Sequence, residues 1–291
     1  MLFPPRMGLG LSALLAFMLS ISLVPGSAGK FGGQSAQKIA LKDGTVDHIN
    51  YLLYLPARYG RDIVTRWPLI IFLHGTEERG DNPQMVKDYG IPSWLDTRDD
   101  FPFIVVSPQC PAGLRWSPAW ITSILDEVES RVRVDESRVY LTGFSMGGYG
   151  TWDTAVAYPE RFAAIAPIAG GGNTELAGRL KDMPIWAFHG EMDVNVPVTE
   201  SISMVDAVRP FTKDVKLTIY QNMTHDVWTI TYQDSELYSW FLAHTKTAPG
   251  KSNPRSTASS SPHAAGVTAG AASTKAGAEK RAPAASHAPR S

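Results

Sequence analysis

Seven short apolar runs, each of strand length and most bounded by glycine or proline, dominate the middle of this chain. They lie at 51–56, 68–75, 103–109, 138–145, 162–170, 184–190 and 215–221. Most are continuous rather than alternating. A strand half-exposed to water alternates apolar and polar side chains, whereas one covered on both faces of a parallel sheet does not. Between the runs lie helical stretches at 119–133, 146–159, 198–210 and 234–245. In the first of these, Ile121, Ile124, Leu125 and Val128 recur at helical spacing. Strands alternating with helices predict an α/β fold, with a mostly parallel central sheet and helices on both faces. Asp43-Gly44, ahead of the first run, predicts an antiparallel hairpin at the N-terminal edge. In such sheets function gathers at the carboxyl ends of the strands. There the sequence places its serine, aspartate and histidine candidates.

The chain has 291 residues, 44% of them hydrophobic, and a formal net charge of −1. That suits one globular domain with appendages. The near-zero charge argues against a nucleic-acid partner. Cys110 is the single cysteine, which excludes an intramolecular disulfide framework and a cysteine-based zinc site. The two ends differ from the middle. Residues 1–28 carry one charge, Arg6, then an apolar run from 9 to 24, then Pro25 and small residues. This is the pattern of a secretory signal peptide, and the run is short for a transmembrane span. The expectation is a secreted or periplasmic protein with no stable membrane insertion after cleavage; an uncleaved N-terminal anchor is the alternative. Residues 248–291 carry Lys251, Arg255, Lys275, Lys280, Arg281 and Arg290 against Glu279, with one large aliphatic residue, Val267, and no aromatic. A segment of that composition cannot bury enough apolar surface to offset its ordering entropy, so a disordered basic tail is expected. The predicted globule is 29–247, and it is mildly acidic.

Gly143-Phe144-Ser145-Met146-Gly147 matches G-x-S-x-G. The bare pattern is weak, but here it directly follows a predicted strand and opens a predicted helix. That setting is a nucleophile elbow, in which a sharp turn projects the serine hydroxyl. A serine needs a base to take its proton. In hydrolases built this way the acid and then the histidine follow the serine along the chain. Among seven histidines that order selects His225, just after the last strand. The acid should follow the preceding strand, where 184–197 holds Glu191 and Asp193. Asp193 lies deeper in the turn and is the candidate, with Glu191 as runner-up; Asp226 is too close in sequence to His225 to orient it. The backbone N–H groups of Met146 and Thr76 are the candidate oxyanion donors, with His74 and Gly75 shaping that loop. No metal motif is present and no cofactor is expected.

With these residues in place, the chain resembles the α/β-hydrolases. More narrowly, it resembles the secreted phospholipase/carboxylesterase group, relatives of dienelactone hydrolase and of feruloyl and acetylxylan esterases. The matching stretches are 73–82, 105–111, 139–152, 162–172, 186–197 and 224–228, in family order. The resemblance implies Ser145, Asp193 and His225 as the triad, and an oxyanion loop organised by Glu77, Glu78 and Arg79. Dienelactone hydrolase uses a cysteine nucleophile, and the serine here disfavours that chemistry. About a dozen residues separate the runs at 162–170 and 184–190, which leaves no room for a lid domain. Trp116, Trp120, Trp152 and Trp228 are candidates for the walls of an open cleft, with core packing expected for at least two of them. Asn222-Met223-Thr224 is a formal glycosylation sequon, discounted because a glycan there would crowd His225. The function implied is a secreted serine carboxylesterase working through an acyl-enzyme on a small-molecule or polysaccharide-linked ester. The alternatives are a serine peptidase of the same fold and a catalytically silent glycan- or wall-binding scaffold.

Overall fold

The computed structural model describes residues 31–41, 44–98 and 100–246. The expected signal peptide (1–28) and the expected disordered tail (248–291) lie outside the described residues. The described chain forms eight strands: β1 Gly33–Ala40, β2 His48–Leu55, β3 Trp67–Leu73, β4 Ile104–Pro108, β5 Val134–Phe144, β6 Ala164–Ile168, β7 Ile185–Gly190 and β8 Val215–Tyr220. Six α-helices accompany them: α1 Pro92–Leu95, α2 Pro118–Arg131, α3 Met146–Ala157, α4 Thr199–Val208, α5 Trp228–Gln233 and α6 Ser235–Ala243.

Side-chain parity along the strands builds two cores on one sheet. In β3, Leu69, Ile71 and Leu73 point to one face, while Ile70 and Phe72 point to the other. β5 divides the same way, with Val139 and Leu141 opposite Tyr140. On the first face Trp120, Ile121, Ile124, Leu125 and Val128 of α2 close the core, with Trp152 of α3 and Met204, Val205 and Val208 of α4. On the second face Leu95 of α1, Tyr232 of α5, and Leu237, Trp240 and Phe241 of α6 do so. Burial on both faces is the reason the strand sequences are continuous rather than alternating.

The strand order is β1-β2-β4-β3-β5-β6-β7-β8. β2 runs antiparallel to both β1 and β4, and the other neighbours are parallel. β1 and β2 form the expected hairpin, with Ala40 opposite His48 and Gly44 at φ +72° in the turn. β4 and β5 lie on opposite sides of β3, so the order of the chain reverses there. Such a switch point opens a crevice at the carboxyl ends of the strands. The connection from β6 to β7 holds one 3-10 helix, Thr174–Leu180, and no lid domain.

Candidate active site

The site starts from a backbone turn. β5 ends at Phe144 and α3 begins at Met146, leaving Ser145 alone to turn the chain. Ser145 has φ +53° and ψ −118°, a conformation costly for a residue with a Cβ. The turn holds because Gly143 and Gly147, two residues to either side, have no side chains. A Cβ at Gly147 would strike the Leu73 carbonyl of β3, and one at Gly143 would come within 2.6 Å of the same oxygen. The Ser145 N–H donates to the Ile168 carbonyl at 2.9 Å, which fastens the turn to β6.

Two loops bring the other groups to this serine. The loop after β7 carries Asp193 and the loop after β8 carries His225. They are bound to one another: Glu191 N–H donates to the Tyr220 carbonyl at 3.0 Å and Met192 N–H to the Met223 carbonyl at 2.8 Å. Gly190 gives the room, since a Cβ there would meet the Thr224 carbonyl. His225 Nε2 then lies 2.9 Å from Ser145 Oγ, and His225 Nδ1 lies 2.6 Å from Asp193 Oδ2. Facing a carboxylate, Nδ1 carries the ring proton, so Nε2 is bare and can accept the serine proton. The Asp193 side chain is fully buried, and its Oδ1 accepts from the N–H groups of Asn195 and Val196, each at 2.9 Å. Glu191 is exposed, and its Oε2 accepts from Asn222 N–H at 3.1 Å. Asp226 accepts from Thr229. Neither of these two acids is bonded to His225.

Thr76 lines the cleft, and Met146 is the first residue of α3. The first N–H groups of a helix have no partner within it, which makes them available to an anion. The Thr76 loop is tied down from below. His74 Nε2 accepts from Cys110 N–H at 2.9 Å, so the ring proton sits on Nδ1, 2.6 Å from the Gly75 carbonyl. Arg79 Nε donates to the Thr76 carbonyl at 2.9 Å, and Gln109 Nε2 donates to the Glu78 carbonyl at 2.8 Å. Glu78 is buried, and its Oε2 lies 3.5 Å from His74 Nδ1. Glu77 instead is exposed and lines the cleft.

A protein-family model described as phospholipase/carboxylesterase matches residues 68–238, which is more than half of the chain. The chain belongs to the phospholipase/carboxylesterase family. It is 30% identical over 133 residues to a bifunctional acetylxylan esterase/xylanase of Neocallimastix patriciarum, covering 43% of this chain and 19% of that one. It is 28% identical over 209 residues to a probable feruloyl esterase C of Aspergillus terreus, covering 67% and 74%. The solved structure of a thermostable esterase superposes with a TM-score of 0.68 at 31% identity, covering 75% of this chain and 64% of that one. The chain thus spans less than two thirds of that structure and about a fifth of the bifunctional enzyme. The fold is the α/β-hydrolase fold expected from the motifs.

In this phospholipase/carboxylesterase family member a cleft of about 570 Å³ opens over Ser145 and His225. Phe144 and Trp228 stack at 4.3 Å along one wall, and Tyr89 meets both rings edge-on. Glu77, Asn195 and Asp226 supply polar lining. Of the four tryptophans singled out from the sequence, Trp228 lines the cleft, whereas Trp116, Trp120 and Trp152 are buried in the first core. Cys110 is buried there too, and burial pushes its thiol up to about 12. Sequence reasoning missed Tyr89, which reaches the cleft from an otherwise unremarked turn after the 3-10 helix Pro83–Asp88. It also missed the partners of His189, whose run reads simply as a strand end.

Proposed function

We propose that this chain is a secreted serine carboxylesterase, in which Ser145 is the nucleophile, His225 the base and Asp193 the orienting acid. The observation that carries this reading is the unbroken hydrogen-bonded line from Asp193 through His225 to a serine on a strained elbow. In the proposed reaction, Ser145 Oγ attacks the ester carbonyl while His225 Nε2 takes its proton. Asp193 holds the imidazole in the tautomer that leaves Nε2 free and stabilises the imidazolium that forms. The N–H groups of Met146 and Thr76 receive the developing oxyanion. His225 then returns its proton to the departing alcohol, and water, activated by the same base, frees the acyl-enzyme. The Tyr89, Phe144 and Trp228 wall suits an apolar or aromatic acyl group. The relatives named feruloyl and acetylxylan esterases support an ester carried by a polysaccharide or its fragments. The composition of residues 1–28 supports export.

The test is turnover of p-nitrophenyl acetate, butyrate and octanoate by the wild type and by Ser145→Ala. Loss of a triad serine should lower turnover by about 10⁴-fold or more. Equal, negligible rates for both proteins would sink the esterase reading. Cleavage of peptide amides without esters would instead identify a peptidase, and a Ser145 inert to a fluorophosphonate, with measurable glycan binding, would identify a silent scaffold.

A further inference from the structure

His189 lies in β7, four residues before Asp193, and is fully buried. Its Nε2 is 2.9 Å from the Val196 carbonyl and 3.3 Å from Asp193 Oδ2. Both are acceptors, so Nε2 carries the ring proton. Nδ1 is 2.7 Å from Ser201 Oγ on α4, and Ser201 Oγ is 2.8 Å from the Gly170 carbonyl beyond β6. Burial lowers the pKa of His189 and favours the neutral ring. The single Ser201 proton then serves either Nδ1 or the Gly170 carbonyl.

Asp193 therefore lies between two imidazoles. Val196 closes the arrangement, because its N–H donates to Asp193 Oδ1 while its carbonyl faces His189 Nε2. At the far end, Gly170 packs so closely on Gly148 and Tyr149 of α3 that a Cβ there would come within 2.7 Å of the Tyr149 nitrogen. The line from Ser145 through His225, Asp193, His189 and Ser201 thus returns to the helix that Ser145 begins.

We propose that His189, backed by Ser201, is a positioning residue: its N–H, bonded to the Val196 carbonyl and 3.3 Å from Asp193 Oδ2, fixes the 193–196 turn and sets a positive dipole end beside the carboxylate, so that the carboxylate meets His225 in one geometry. This rests on the triad reading above. His189 itself touches neither the substrate nor the serine. A carboxylate that loses the positive end of a neighbouring N–H dipole attracts the proton on the adjacent imidazole more strongly. Removing the His189 N–H should therefore move the acid limb of the pH–rate profile upward. The titratable and charged groups around this line are Asp193 and His225 facing His189, Tyr149 with Glu200 and Arg115 near Asp193, and Asp226 beside His225. None of them changes in the His189 and Ser201 variants that test it.

The experiment measures kcat, KM and the pH dependence of kcat/KM on p-nitrophenyl acetate for wild type, His189→Leu, His189→Gln and Ser201→Ala, with Asp193→Asn as reference. Glutamine keeps an N–H near the position of Nε2, whereas leucine keeps none. His189→Leu should lose kcat by about 10–100-fold, the range seen when outer supporting groups are removed from ligating side chains. KM should change little, and the acid limb should shift to higher pH. His189→Gln should recover most of both effects, and Ser201→Ala should show a smaller shift in the same direction. Wild-type kcat and pH profile in His189→Leu would overturn the proposal, as would a His189→Gln variant no better than leucine. Should the leucine variant not fold, an unshifted profile in Ser201→Ala overturns it. Asp193→Asn separates the two readings. If that variant turns over like wild type, the triad assignment itself fails; if it is impaired while His189→Leu is not, only the positioning role fails.

Discussion

A methyl group at position 147 would land on the carbonyl of Leu73, because the elbow brings α3 down onto the backbone of β3. Backbone cannot move aside as a flexible side chain can. Gly147→Ala should therefore destabilise the protein by about 2–3 kcal/mol or more, the cost of overpacking a dense site. It should also reduce fluorophosphonate labelling of Ser145, since the turn that projects the hydroxyl must shift. A urea midpoint and labelling rate like those of wild type would contradict this account of the turn. Cys110 gives a second residue-scale expectation. Burial raises its thiol to about 12, against about 8.5 for an open chain. The native protein should thus resist iodoacetamide at pH 8, and the urea-unfolded protein should be alkylated. The linkage has one sign: an acid whose folded pKa is raised favours the fold fully below the unfolded value. That contribution declines as pH rises from about 8.5 towards 12.

At the scale of elements, α5 is fastened to the sheet by a buried polar pair. Thr142 Oγ1 of β5 donates to the Ala166 carbonyl at 2.6 Å, so the Tyr232 hydroxyl, 3.0 Å away, donates to Thr142. Tyr232→Phe keeps the ring packed on Phe72 and removes that bond alone. It should cost about 1 kcal/mol, read from the urea midpoint; no loss at all would mean that Thr142 is satisfied without it. The sequence makes most elements legible for the same reason that they are stable. β3, β4 and β6 are apolar on both faces, and they read as such. β1 is legible only in part, since Ile39 is its one buried side chain and the edge position removes the pattern. α1 and α5, with four and six residues, are too short to show helical periodicity. Ser145 is legible because strand, turn and helix are contiguous around it, and His225 and Asp193 because each follows a readable strand. Glu191 stays open in the sequence, and geometry separates it from Asp193 by giving it to the backbone of Asn222. His189 is illegible because all that distinguishes it is tertiary: Ser201 on another element and the folded turn at Val196.

At the scale of the whole molecule, the sheet has no face of its own. Leu69 and Ile71 belong to the core under α2, α3 and α4, while Ile70 and Phe72 belong to the core under α1, α5 and α6. Removing either layer would expose a continuous apolar surface, and alternate residues of the same strands would lose their packing together. The two cores should therefore unfold as one. Tryptophans report on both, with Trp120 and Trp152 in the first and Trp240 in the second. In urea, tryptophan fluorescence and far-ultraviolet circular dichroism should give coincident transitions, the signature of an all-or-none change. Ile124→Ala in the first core should cost about 2–5 kcal/mol and shift both probes by the same amount. Loss of the proposed ester turnover should follow the same curve, because Thr76, Ser145, Asp193 and His225 follow the ends of β3, β5, β7 and β8 of that one sheet. If fluorescence or turnover fell at lower urea than the dichroism, one layer would be separating from the sheet before it melts. The Ser145–His225–Asp193 geometry would then depend on that layer rather than on the sheet.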